Sequence, residues 1–248
     1  VPPSGRVGTI VRAESTVRHA SPVCLEWSVA DFDEKGIEIS IPKDISGGEK
    51  LPPIRVRGYI DRVDILPMDE STKEWLDPEG DESVAPLRVH GSGWRPRRLV
   101  AIRDLKTSES KAAKIRHSDG LLDELQLALY ARAWEIAHPG DLVVAAGISL
   151  FSHHTEHMLE LSSQYSAAHR DLLLGTRTDI TTSLHRFPDE PASPHSDHFR
   201  AWLTQRLAVA LRVAAGAAAG RVHPTPSPGV CGYCPVRNVC EVRMEAGF

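Results

Sequence analysis

Apolar residues alternate with polar ones through 54–66, I-R-V-R-G-Y-I-D-R-V-D-I-L, at Ile54, Val56, Ile60, Val63 and Ile65. A two-residue period of this kind predicts one strand or the two arms of a bent one. Residues 23–29 (V-C-L-E-W-S-V) and 37–41 (I-E-I-S-I) alternate in the same way and are expected in the same sheet. The segment 98–105, R-L-V-A-I-R-D-L, places Leu99, Ala101 and Arg103 on one face and Val100, Ile102 and Asp104 on the other. Between these strands, 67–97 turns polar and is rich in Asp, Glu, Gly and Ser, which predicts a surface insertion separating two neighbours in the sheet.

The period then changes. Within 119–137, Leu121, Leu122, Leu125, Leu129, Ala133 and Ile136 fall at helical spacing, with Asp119 a candidate N-cap. The run 142–151, L-V-V-A-A-G-I-S-L-F, reads as a buried strand with 157–161 as its partner. An Ala-rich helix over 197–220, starting near Ser196 and stopped by Gly220, follows. Strands, a carboxylate-bearing pair, a helix, a further strand and late helices predict one α/β or α+β domain over 1–248. Its expected centre is a mixed β-sheet flanked by helices, with a cysteine-rich appendage at 221–248. No internal repeat is present.

Composition narrows the possibilities. A 248-residue chain with 41% hydrophobic residues can bury a sizeable core. No stretch approaches the roughly 18 to 20 apolar residues of a membrane span. The opening V-P-P-S-G-R-V lacks the parts of a signal peptide, so a cytoplasmic protein is expected. The net charge of -4 excludes coating of nucleic acid by bulk charge, although a local basic track is compatible with it. Three of the four cysteines, Cys231, Cys234 and Cys240, crowd near the C-terminus as C-x₂-C-x₅-C, while Cys24 stands alone. That distribution suits metal or cluster ligation better than a disulfide framework, and the spacing leaves Zn²⁺ and a [4Fe–4S] cluster both open.

The carboxylates carry the candidate chemistry. Asp104 and Lys106 lie two apart and so share one face of a strand, and Asp61 ends the segment G-Y-I-D. A carboxylate pair can hold Mg²⁺ or Mn²⁺, and an adjacent ammonium can orient a water or meet negative charge developing on a phosphate. An isolated Asp-x-Lys is common by chance and is equally consistent with a surface ion pair.

The ordered set is more specific. G-Y-I-D at 58–61, D-L-K-T at 104–107 and Q-L-A-L-Y at 126–130 resemble the motifs of the RecB-type branch of the PD-(D/E)XK nucleases. The resemblance implies a restriction-endonuclease-like fold, with Asp61 and Asp104 binding Mg²⁺ or Mn²⁺, Lys106 catalytic, and Gln126 with Tyr130 on a helix near DNA. It adds the backbone carbonyl of Leu105 as a further metal ligand, and an upstream ligand for which Glu26 and His19 are the candidates.

The same resemblance favours iron over zinc at the cysteines. A subset of RecB-type nucleases, AddB-like, CRISPR-associated adaptation and exonuclease V-like, closes with such a triplet, completed by an upstream cysteine. Cys24 is the candidate here, and its alternative is a small core residue. The implied activity is an exonuclease on single-stranded DNA or DNA ends in repair, recombination or CRISPR adaptation. No nucleotide-binding G-x-x-x-x-G-K-[ST] is present, so a helicase or other repair or adaptation subunit is the expected partner. The alternative is a catalytically silent iron–sulfur DNA-binding module in such an assembly. Arg62, Arg103, Lys111 and Lys114 are candidates for phosphate contacts, and Tyr59 or Trp94 for base stacking.

Overall fold

The computed structural model describes residues 21–41, 48–68, 96–107, 117, 120–151, 156–162, 181–185, 198–221, 231, 234–235, 238–245 and 247. Six strands form the main sheet. Its spatial order is β1 (Ser21–Ser28), β4 (Tyr59–Leu66), β5 (Arg98–Thr107), β6 (Asp141–Phe151), β7 (Glu156–Ser162) and β8 (Thr181–His185). The sheet is mixed: β5 pairs parallel with β6 and β7 with β8, whereas β1–β4, β4–β5 and β6–β7 are antiparallel. The described helices are α1 (Val29–Phe32), α2 (Leu125–Ala137), α3 (His198–Ala218) and α4 (Glu241–Glu245). Contacts divide the chain into two compact units, Val1–Leu211 and Arg212–Phe248.

Two expectations about strands need correction. The segment 54–66 is two strands in different sheets, β3 (Ile54–Val56) and β4. The segment around 37–41 supplies β2 (Ile37–Ile39), which pairs with β3 in a separate two-stranded sheet. The chain passes from one ladder to the other at Gly58, whose φ of +143° is a conformation that L side chains rarely adopt. Alternation reports that a segment is extended and says nothing of which partner it meets. The polar stretch after β4 does separate two neighbours, since β4 pairs with β5 from Leu66↔Leu99 to Arg62↔Arg103.

Helix α2 starts later than expected. Glu124 is its N-cap and accepts the Gln126 N–H at 3.1 Å, whereas Asp119 and Ser196 lie outside the described residues. Of the expected face, Leu121 and Ala133 are buried and Leu129 and Ile136 pack against the core, while Leu122 is exposed; Leu127, Ala128, Ala131 and Trp134 are buried beside them. With apolar residues nearly all round the helix, periodicity cannot choose the face, and the sheet chooses it instead. These residues join Val100, Ile102, Val143, Ala146 and Ile148 of the sheet and Phe199, Leu203, Leu207 and Leu211 of α3 in the main core. Burying each large side chain contributes about 1.5–3 kcal/mol.

A buried polar contact ties the helical layer to the sheet. Glu135 of α2 accepts the Val143 N–H at 3.1 Å and Arg200 of α3 at 2.6 Å. In the second unit, α3 ends as expected at Gly220, with φ +74°. The Arg221 N–H reaches the Gly216 carbonyl at 2.8 Å and the Gly220 N–H that of Ala217 at 3.0 Å, the paired bonds of a Schellman cap. No described helix is long and apolar enough to cross a membrane.

Candidate active site

Asp61 and Asp104 meet where the β4–β5 ladder opens. Arg62↔Arg103 is its last pair, so Asp61 and Asp104 are the next position outward. There the Asp61 Oδ2 accepts the Leu105 N–H at 2.7 Å, taking the place of a backbone partner. Strand alternation also breaks at this point. Ile60 and Val63 both join the main core, although three residues apart, while Leu66 belongs to a second cluster with Leu99, Ala101, Val144 and Ala145. Irregularities of this kind re-aim a side chain beside a site.

Across from them, Leu25 pairs with Arg62 and Trp27 with Ile60, which sets Glu26 opposite Asp61. Glu26 has φ +51°, the one positive value among the described non-glycine residues. Its side chain is exposed. His19 lies outside the described residues.

Asp104 is buried, with 6% of its surface accessible. Lys106 lies 3.1 Å from its Oδ1 and 2.9 Å from its Oδ2, and the Gln126 Nε2 donates to Oδ1 at 3.4 Å. The first turn of α2 thus reaches the carboxylate from the helical side. Burial pushes the Asp104 carboxyl above its ordinary range, against the hydrogen bond and charge of Lys106, while Asp61 and Glu124 add to the rise. For Lys106 burial acts downward, but it is outweighed by the hydrogen bond and charge of Asp104 and the fields of Asp61 and Glu124. The ammonium is held above its ordinary range.

Glu124 was not singled out in the sequence. Its signal was available: a Glu two residues before Gln126, at a helix start where Ser, Thr, Asp or Asn is the usual cap. Tyr130, one turn beyond Gln126, makes no hydrogen bond to either carboxylate. Its ring lies against Gly58, where a Cβ would stand 2.5 Å from the hydroxyl oxygen.

The two arginines expected to meet phosphate do something else. Arg62 donates to Asp64 Oδ1 at 2.7 Å and Arg103 to its Oδ2 at 2.8 Å, and all three residues are buried. These guanidinium groups are held inside the protein by Asp64, with which Arg62 shares a face of β4, and Arg103 lies on the face of β5 that carries Leu99 and Ala101. Lys111, Lys114 and Trp94 lie outside the described residues. Tyr59 is 64% exposed.

The cysteines are all free thiols. Cys24 sits in β1, packed against the main core. In the second unit Cys231 is buried, Cys234 and Cys240 are half-buried, and the Cys234 N–H lies 3.4 Å from the Cys231 carbonyl. Among the described residues no group of three or more His, Cys, Asp or Glu side chains is placed to hold a metal ion.

The profile of the PD-(D/E)XK nuclease superfamily matches residues 88–241, well over half of the chain. The matched region takes in Asp104, Lys106, α2 and the cysteine triplet. Asp61 lies upstream of it and is joined to it by the hydrogen bond from Leu105. No curated protein and no solved structure matches the chain.

Proposed function

The chain belongs to the PD-(D/E)XK nuclease superfamily, and on that premise we propose a Mg²⁺- or Mn²⁺-dependent DNA nuclease of the RecB-type branch, with Asp61, Asp104 and Lys106 as its active site. The observation that carries this is the meeting of two carboxylates from adjacent strands at the open end of their ladder, with a lysine paired to one of them. The donors suit a hard divalent cation, since Asp61 and Asp104 offer only oxygen. The Leu105 carbonyl adds a third oxygen: its N–H points at Asp61, and in extended chain the carbonyl of the same residue faces the same side. Glu26, opposite Asp61, is the candidate for a fourth. When bound, the ion supplies an acidified water and neutralises charge on the phosphate.

The chain's own groups divide the remaining work. Lys106, paired to Asp104 at 2.9 Å, is placed as a cation and hydrogen-bond donor beside the carboxylates. It can orient the attacking water or meet the charge that grows on the phosphoryl oxygens. The Leu105 N–H fixes one carboxylate and Gln126 the other. Tyr59, exposed beside the site in sequence, supports an unpaired base as substrate, and with it an exonuclease on single strands or DNA ends. Lys111 and Lys114 are the candidates for phosphate contacts. A role in repair, recombination or CRISPR adaptation, with a helicase or adaptation subunit as partner, belongs to the same proposal.

The C-terminal triplet is proposed as the ligands of a [4Fe–4S] cluster, with Cys24 as the fourth; the C-x₂-C-x₅-C spacing supports a metal centre, and the resemblance to RecB-type nucleases that close with such a triplet supports iron. Metal analysis of anaerobically purified protein tests this. Iron in brown protein is the expected result, and zinc in colourless protein overturns it. Catalysis is tested on end-labelled single-stranded DNA with Mn²⁺. Lys106→Ala is expected to slow cleavage by about 10²–10³-fold, the usual effect of removing one donor to developing charge. DNA left equally intact by wild type and variant would remove the nuclease assignment.

A further inference from the structure

Helix α2 touches both carboxylate strands, and it does so through residues four apart. Gln126 reaches Asp104 on β5. One turn later, Tyr130 lies on Gly58, the residue just before β4. Residues at i and i+4 share a helix face, so the two contacts are made by one rigid edge.

The Gly58 contact is tight. A Cβ there would stand 2.5 Å from the Tyr130 hydroxyl oxygen, inside the closest approach that real Cβ atoms show, and 3.2 Å from two ring carbons, tighter than most Cβ contacts. The φ of +143° independently restricts the position to glycine. On the backbone side, the Gly58 carbonyl accepts the Val29 N–H at 3.0 Å. The entry to β4 is therefore held from two directions. Three residues on is Asp61, past the last pair of the ladder to β5, so that backbone pairing holds it from the β1 side alone, through Ile60 and Arg62. The Tyr130 hydroxyl makes no hydrogen bond to any described residue, so what the ring supplies at Gly58 is contact.

From this, and resting on the nuclease assignment above, we propose that Tyr130 is a positioning residue: its ring clamps Gly58 and thereby sets Asp61 against Asp104, and it does not act on the substrate. The clamp would be felt first in metal affinity and in the hydrogen bond from Leu105 to Asp61.

Three measurements on the full chain test it, using wild type, Tyr130→Phe, Tyr130→Ala and Gly58→Ala. These are Mn²⁺ affinity by titration, cleavage of single-stranded DNA, and hydrogen exchange of the Leu105 amide without metal. Tyr130→Phe keeps the ring and is expected within about twofold of wild type throughout. Tyr130→Ala and Gly58→Ala are expected to weaken Mn²⁺ by about 10–100-fold, as loss of an outer support of a metal ligand does, and to speed Leu105 exchange. Should Tyr130→Ala not fold, Tyr130→Leu replaces it. The proposal is overturned if Tyr130→Phe loses as much cleavage as Tyr130→Ala while Mn²⁺ affinity holds, because the hydroxyl then acts on substrate. It is overturned equally if both variants leave all three measurements unchanged. If wild type neither binds Mn²⁺ nor cuts DNA, the nuclease assignment fails; faster Leu105 exchange in Tyr130→Ala alone would still uphold the clamp.

Discussion

At the scale of single residues, the candidate site combines a buried, raised carboxyl with a strained backbone. Asp104 is a buried carboxylate whose pKa burial raises. Glu26 holds a left-handed backbone inside a strand, a conformation costing roughly 1–2 kcal/mol for an L-residue. Strain of this kind persists where surrounding structure or function demands it. Glu26→Gly is accordingly expected to stabilise the protein by about 1 kcal/mol in denaturant titrations, glycine tolerating positive φ without penalty. It is also expected to weaken Mn²⁺ binding. Gain of stability with metal affinity unchanged would take Glu26 out of the site. The candidates Asp61, Asp104, Lys106 and Gln126 were legible in sequence because their spacing survives without coordinates. Glu124 was missed because its role is electrostatic, reaching Asp104 and Lys106 across space.

At the scale of elements, β4 and β5 carry a polar pair of functions on one short stretch. Asp61 and Asp104 stand at the open end, while Asp64, one pleat deeper, binds Arg62 and Arg103 in the interior. A carboxylate shared by two buried guanidinium groups is weak evidence of net stabilisation, but its loss is expensive. Asp64→Ala is expected to cost about 3–5 kcal/mol, the effect of breaking a buried pair from one side. Urea unfolding midpoints measure this, and a cost under about 1 kcal/mol would show the arginines finding other partners at little penalty. Sequence placed these arginines on the substrate because a basic residue beside a site is usually exposed. Their inward direction goes with Asp64, which binds both on one covered face of the sheet, and alternation alone does not say which face is covered.

For the molecule as a whole, aromatic packing joins the edge strand to α2 and brings in a titratable group. Trp134 stacks on His138 with ring centroids 3.8 Å apart, and Trp27 meets both edge-on. Burial pushes His138 below its ordinary range, against the Trp134 carbonyl and the charge of Asp141. The folded protein thus resists a proton that the unfolded chain accepts. Stability is full above the unfolded value of about 6.5 and declines as pH falls from there toward the lowered folded value. His138→Phe, which keeps a ring on Trp134, should flatten that decline in thermal unfolding between pH 7 and pH 5; identical slopes would remove His138 from the cause. The sequence by itself determined most of the strands and helices, the order of the motifs and the types of group gathered at the candidate site, because period, caps and charge are properties of neighbours along a chain. Only tertiary structure decided that β2 and β3 leave the main sheet, which face α2 buries, which arginines turn inward, and that Tyr130 rests on Gly58. Each of these is a contact between residues distant in sequence, fixed by the space that other elements leave open.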